Sequence, residues 1–156
     1  MRRVLVLLLA TACSGGSAVA VSSGPSRADY LRQAEKICAE ANAKQKALTT
    51  PTSLPALAPY VSRVVAIADE ATTRLAALTP PVKDRADLQA KVLGPLQSQL
   101  ADGHVYADKV AAASKANDLK TLGELLTNAP TATRADLRFM KSYGFNACID
   151  AADTGS

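Results

Sequence analysis

The stretch LAPYVSRVVAIADEATTRLAAL, residues 57–78, carries the clearest structural signal in this 156-residue chain. Its apolar residues recur in alternating steps of four and three, which is the spacing of a helix face that packs against other helices. Pro59 is expected in or just before the first turn, and Thr79-Pro80-Pro81 predicts the end of the helix. The face consists of Leu57, Val61, Val64, Ala68, Ala71, Leu75 and Leu78.

The chain on either side of this stretch also has helical spacing, with no convincing run of alternating residues. A first helix is predicted to follow Ser26, whose hydroxyl can cap the first turn while Asp29 completes a capping-box pattern. A third helix begins near Asp84 and runs to Ala116. Gly94-Pro95 lies inside it and predicts either a kink or a break.

Two further helices are predicted towards the C-terminus. Asp118 is a suitable N-cap for a short helix that ends before Pro130. A last helix is expected from about Thr131 or Thr133 to Gly144, which offers a C-cap. The sequence therefore predicts an all-α domain over residues 26–156, an antiparallel bundle of four principal helices plus a short helix. Its many alanines favour close helix spacing and argue against a large internal cavity.

The first 12 residues have the three-part layout of a signal peptide. Met1-Arg2-Arg3 is basic, residues 4–10 are apolar, and Ala10-Thr11-Ala12 supplies small residues before Cys13. The apolar run is shorter than the roughly 20 residues that span a bilayer. We therefore expect residues 1–12 to direct export and to be removed.

The segment Ala10-Thr11-Ala12-Cys13 resembles the lipobox of bacterial lipoprotein precursors, with Ala10 where that family prefers Leu. The resemblance implies that a diacylglycerol is attached to the Cys13 sulfur and that the chain is cleaved before this residue. If the lipobox is not used, cleavage after Ala12 or Ala20 would release a soluble secreted protein.

Residues 13–25 are small, Gly/Ser-rich and uncharged, a composition typical of a flexible tether between a lipid anchor and a folded domain. Together with the Ala-, Arg- and Thr-rich body, this segment resembles small envelope lipoproteins of high-GC Gram-positive bacteria. The resemblance implies a location at the extracytoplasmic face of the cell membrane, and it implies no activity.

The chain has three cysteines, and lipidation of Cys13 would leave Cys38 and Cys148 as a pair. Disulfides persist in exported proteins, so a bond between these two residues is predicted. The alternative is two buried free thiols that pack as small apolar residues.

The formal charge of +4 includes Arg2 and Arg3, which lie in the segment expected to be removed. Without them 16 basic residues face 14 acidic ones, which is a small excess spread along the chain. Such a distribution excludes nucleic acid as the main partner.

His104 is the single histidine of the chain, and Asp108 follows it at helical spacing. This pair is either a carboxylate-oriented imidazole acting as base or ligand, or an exposed pair on a helix surface. Met140 with His104 would be a conceivable axial pair, because the haem-binding four-helix-bundle cytochromes hold their haem in this way. The alternative is that Met140 packs in the core.

Arg134, Arg138 and Lys141 fall at intervals of four and three on the predicted last helix. They form either a stripe that contacts anionic lipid headgroups or a solvated helix face. No catalytic motif, metal site or resident cofactor is predicted. We therefore expect a non-enzymatic lipoprotein with a structural or interaction role, bound to the membrane by its lipid and to an envelope protein. The alternative function is binding of a small apolar or haem-like ligand between the helices.

Overall fold

The computed structural model describes residues 24–130 and 133–153. Cys13, the predicted signal segment and most of the predicted tether lie outside these ranges. Within them the chain contains helices and no strand, so the all-α prediction is confirmed. No helix of the described part is long and apolar enough to cross a membrane.

Three long helices and several short ones make up the described domain. The predicted last principal helix is replaced by two short helices joined by a tight turn at Gly144. The elements are α1 (Arg27–Lys46), α2 (Leu54–Ala77), α3 (Arg85–Leu88), a π-helical turn (Gln89–Leu93), α4 (Gly94–Lys115), α5 (Leu119–Thr127), α6 (Leu137–Tyr143) and α7 (Asn146–Asp153).

The beginning of α1 is the predicted capping box. The backbone N–H of Asp29 donates to the Ser26 hydroxyl at 3.1 Å, and that hydroxyl donates to the Asp29 carboxylate at 2.7 Å. These bonds satisfy a backbone donor that has no partner within the helix. The start of the domain is therefore determined by four consecutive residues.

Helix α2 begins earlier than the apolar face suggested. It starts at Leu54 with Pro55 in the first turn, where a missing N–H costs nothing. Pro59 consequently lies inside the helix, in the second turn, and the prediction that it would lie in or before the first turn is wrong. Of the predicted face, Leu57 and Leu75 are buried and the remaining residues are half-buried.

The Gly94-Pro95 dipeptide does not break the predicted third helix, and its effect is more than a simple kink. Gly94 N–H donates to the carbonyl of Gln89, five residues back, so the helix widens into the π-helical turn before Pro95. Pro95 has no N–H to offer the Lys91 carbonyl, and that carbonyl instead accepts the backbone N–H of Asp136 at 2.8 Å. Pro95, in the first turn of α4, thus leaves the Lys91 carbonyl free to accept the bond that holds the residue before α6.

The predicted caps near the C-terminus are confirmed, although α6 starts later than predicted. Asp118 accepts from the Thr121 N–H at 3.0 Å, and Gly144 ends α6 with a φ of 106° that favours glycine. Helix α6 begins only at Leu137, because Asp136 is extended and its carboxylate accepts the Phe139 N–H, which caps the first turn. The start predicted at Thr131 or Thr133 is therefore wrong.

The predicted disulfide between Cys38 and Cys148 is confirmed and joins α1 to α7. Polar contacts reinforce it. The backbone N–H of Ala147 donates to the Glu35 carboxylate at 2.9 Å, and the Asn42 amide donates to the Ala147 carbonyl at 2.7 Å. The last helix of the domain is therefore held on the first helix.

Two apolar clusters form the core. The larger lies among α1, α2, the π-helical turn and the last two helices, and its aromatic centre contains Tyr30, Tyr143 and Phe145. The smaller lies under α5, where Leu122 contacts the cluster formed by Leu57 and Val110. Between the long helices the larger core is incompletely filled.

Candidate functional site

An apolar cavity of about 190 Å³ lies between α1, α2, α4 and α6. Three alanines contribute to its walls, Ala41 on α1 and Ala68 and Ala71 on α2. A methyl group reaches less far than the leucine or valine side chains that fill other positions of the core, which leaves the space open. The Ala-rich faces, from which close packing was predicted, therefore leave a cavity at this position.

The cavity has a buried end and a half-exposed end. Buried side chains form the first, where Tyr30 and Phe145 are each 1% exposed and Leu75 and Val92 are almost as inaccessible. Met140 also lines this part and is 3% exposed. The site therefore has a floor of aromatic and aliphatic groups.

Polar side chains that are half-exposed line the other end, namely Gln45 of α1, Gln99 of α4 and Thr133. The Gln99 amide oxygen accepts the backbone N–H of Arg134 at 3.1 Å, which holds the chain before α6 against α4. Neither glutamine donates a side-chain hydrogen bond to another described residue. Uncharged amide donors therefore lie at the half-exposed part of a mostly apolar cavity, whose wall also includes the buried Thr72.

No charged side chain is found among the described residues that line the cavity. Among the described lining residues Tyr30 is the one able to ionise, and burial raises the pKa of its hydroxyl above 10.0. It is therefore neutral at neutral pH. Cys38 and Cys148 also line the wall, and both sulfurs are in the disulfide.

His104 lies away from this cavity. Its side chain is 53% exposed and lines a shallow depression between α2 and α4. The nearest carboxylate is Asp69 of α2, whose Oδ2 is 3.8 Å from Nε2, too far for a hydrogen bond. Asp108 makes no ionic contact with His104, so the pairing predicted from their spacing is wrong. The carboxylate closest to this histidine therefore comes from the neighbouring helix α2 and not from its own helix.

Met140 and His104, predicted as a conceivable axial pair, do not share a site. Met140 is buried against the cavity and belongs to the larger core cluster, whereas His104 is on the surface of α4. The arrangement matches the alternative prediction that Met140 packs in the core. It provides no pair of haem ligands on opposite sides of one space.

The basic stripe of Arg134, Arg138 and Lys141 is not continuous. Arg134 precedes α6 and its guanidinium contacts the Asp102 carboxylate and, at 3.0 Å, the Ser98 hydroxyl of α4. Arg138 and Lys141 alone lie on α6, and both are exposed. The prediction of three aligned basic residues is wrong because the helix starts after the first of them.

In the part of the chain that the structure covers, no three His, Cys, Asp or Glu side chains are grouped so as to hold a metal ion. No protein-family model, curated protein or solved structure matches this chain. The cavity between α1, α2, α4 and α6 is the candidate site that the geometry of the described residues supports best.

Proposed function

We propose that this chain is a non-enzymatic lipoprotein of the cell envelope that binds a small apolar molecule in the cavity of its helical bundle. The single observation that carries the binding role is the apolar cavity of about 190 Å³. Apolar cavities of about 150 Å³ remain dry and accept a ligand as small as benzene. Pockets for drug-sized ligands measure about 300–1,000 Å³, so the proposed ligand is smaller than that class.

This size also favours the small apolar ligand over haem, the other ligand predicted from the bundle. A porphyrin is at least drug-sized and needs axial ligands that face one another across its plane. Met140 lines the cavity and His104 does not. The size of the cavity and the separation of these two side chains therefore argue against haem as the ligand.

The proposed location rests on the N-terminal sequence and is supported by the disulfide. Cys13 follows a signal-like segment, and lipidation there would anchor the domain at the extracytoplasmic face of the membrane. A bonded Cys38–Cys148 pair is typical of proteins outside the reducing cytoplasm. A soluble secreted form remains the alternative if the lipobox is not used.

Arg138 and Lys141 are the remaining candidates for contact with anionic lipid beneath the tethered domain. Each basic residue close to such a surface contributes about 1 kcal/mol. Two such residues are too few to hold the protein alone, so the lipid on Cys13 is the proposed anchor and the charges influence its orientation.

The binding role is tested with benzene on the exported chain carrying Cys13→Ser, which avoids detergent. We expect a saturable heat of binding and a higher unfolding temperature, since a ligand at 100 times its Kd stabilises the folded state by about 2.7 kcal/mol. Ala68→Leu places a larger side chain in the cavity, fills part of it and should weaken both effects. Ala66→Leu on the exposed side of the same helix is the matched control and should bind normally. Equal binding by both variants would disprove the site.

The location is tested by intact-mass analysis of the exported protein. We expect residues 13–156 with acyl chains on Cys13, and we expect Cys13→Ser to move the protein from the membrane fraction to the soluble fraction. An unmodified mature N-terminus at Cys13 or Val21 would disprove lipidation and leave the secreted alternative.

A further inference from the structure

The spread of the lining residues along α2 and α4 indicates that the cavity is elongated. Its lining residues extend along α2 from Ile67 to Leu75, a rise of eight residue steps, and along α4 and the preceding turn from Val92 to Gln99, a rise of seven steps. At 1.5 Å per residue these lengths are about 10–12 Å. A volume of about 190 Å³ holds about six water-sized groups, which over this length form little more than a single file. An unbranched hydrocarbon chain has this shape, whereas a fused ring system does not.

The chemistry of the wall limits the charge of the ligand. The described lining residues include no Lys, Arg, His, Asp or Glu. Close to the open end, Arg134 follows Thr133 and contacts Asp102, and Lys44 precedes Gln45 and contacts Glu70. An ionised ligand would therefore lose its hydration without gaining a free counter-charge, which is strongly unfavourable.

The open end offers hydrogen bonds instead of charge. Gln45, Gln99 and Thr133 are the half-exposed polar residues of the wall, whereas Tyr30 and Val92 are buried, and Thr72 is the buried threonine of the described wall. Amide and hydroxyl groups can donate to and accept from a hydroxyl, ester or amide. The polarity of the cavity therefore changes along its length, as does that of an amphiphile with one polar end.

We propose that the cavity binds the hydrocarbon chain of a neutral single-chain amphiphile, with the uncharged polar head held at Gln45, Gln99 and Thr133. This inference rests on the proposed binding function and specifies its ligand class. The buried end receives the chain terminus, and the disulfide between α1 and α7 forms part of the wall beside it.

The test is calorimetric titration of the exported Cys13→Ser chain with linear primary alcohols of increasing length. Kd is expected to fall about fourfold for each added methylene, which corresponds to the free energy of burying one such group. The fall should stop once the chain fills the cavity, at about six to nine carbons. The carboxylate of the same length should bind at least about tenfold more weakly at neutral pH. Affinity that increases without a limit in chain length, or a carboxylate that binds better than its alcohol, would overturn the inference.

Two variants test whether the hydrocarbon chain of the alcohol lies within the cavity. Ala68→Leu should move the limit to shorter alcohols by filling part of the cavity, and Ala66→Leu should leave the limit unchanged. Unfolding midpoints verify that both variants are folded. A limit that both variants shift equally would place the alcohols elsewhere on the protein and would overturn the inference.

The benzene titration separates the two proposals. If benzene binds and alcohols show no dependence on chain length, the cavity binds compact molecules, so the binding function stands and the ligand class is wrong. If neither benzene nor any alcohol binds, both the proposed function and the ligand class are wrong.

Discussion

Replacing Cys38 and Cys148 together with Ala should strongly destabilise the domain without preventing it from folding. The two residues are separated by 110 positions, so their bond closes almost the whole domain into one loop. For a loop of this length the chain-entropy relation gives about 5 kcal/mol. Small domains are stable by about 5–15 kcal/mol in total. The contacts of Ala147 with Glu35 and Asn42 remain in the variant and still hold α7 on α1.

The assay is urea unfolding of the Cys13→Ser chain with and without the double substitution, followed by far-ultraviolet circular dichroism. We expect the free energy of unfolding to fall by about 4–5 kcal/mol and the melting temperature to fall by roughly 15 °C. The free energy of unfolding should also fall more steeply with urea concentration, because an unfolded chain that is not closed by the disulfide exposes more surface. The bonded protein in the presence of a reductant is the matched control and should lose a similar amount.

Two results would refute this reasoning. A loss below about 1 kcal/mol would mean that the unfolded chain is not restricted by the bond as the loop length implies. A large loss with an unchanged urea dependence would place the effect in the folded state, in the packing of the two sulfurs between α1 and α7.

Three further outcomes are expected. Asp118→Ala should lower the melting temperature at neutral pH, and the difference should vanish on acidification. The Thr121 hydroxyl and N–H lower the pKa of Asp118 below 3.8, so its stabilisation is present above that pH and is lost below it. Tyr143→Phe should cost about 1.5 kcal/mol in urea unfolding by removing the 2.7 Å bond to Asp84. Because burial and Asp84 raise the pKa of Tyr143 above 10.0, wild-type stability should fall above pH 10.0, and that fall should be smaller in the variant. Pro95→Ala should supply a backbone N–H that competes with the Asp136 N–H for the Lys91 carbonyl. The start of α6 should then be held less firmly, and hydrogen exchange at its backbone, measured by mass spectrometry, should become faster.

The helical class and most helix ends could be predicted from the sequence because they depend on neighbouring residues. The Ser26–Asp29 capping box, the Asp118 cap and the Gly144 turn each involve groups a few positions apart. The disulfide was predictable for a different reason, since lipidation of Cys13 would leave two cysteines to pair. The start of α6 depends partly on a local cap at Asp136 and partly on the bond from the Asp136 N–H to the Lys91 carbonyl, and only the second, which joins distant residues, was not predictable.

The candidate site was only partly visible in the sequence. A space between helices was one predicted alternative, and Met140 was named among its residues. The position of His104 could not be deduced from its neighbours, because the proximity of Asp69 depends on how α2 packs against α4. The glutamines at the open end resembled any polar surface residues, and no local signal distinguishes them.

By itself the sequence determined that the protein is helical and where most of its helices end, and the predicted lipidation of Cys13 indicated which two cysteines would pair. These features depend on local hydrogen bonding, on the period of the apolar residues and on the number of cysteines. The tertiary structure alone decided that Ala41, Ala68 and Ala71 enclose a space instead of bringing the helices into close contact. A small side chain permits either arrangement, and which one forms depends on where the larger residues of the other helices hold the backbones apart.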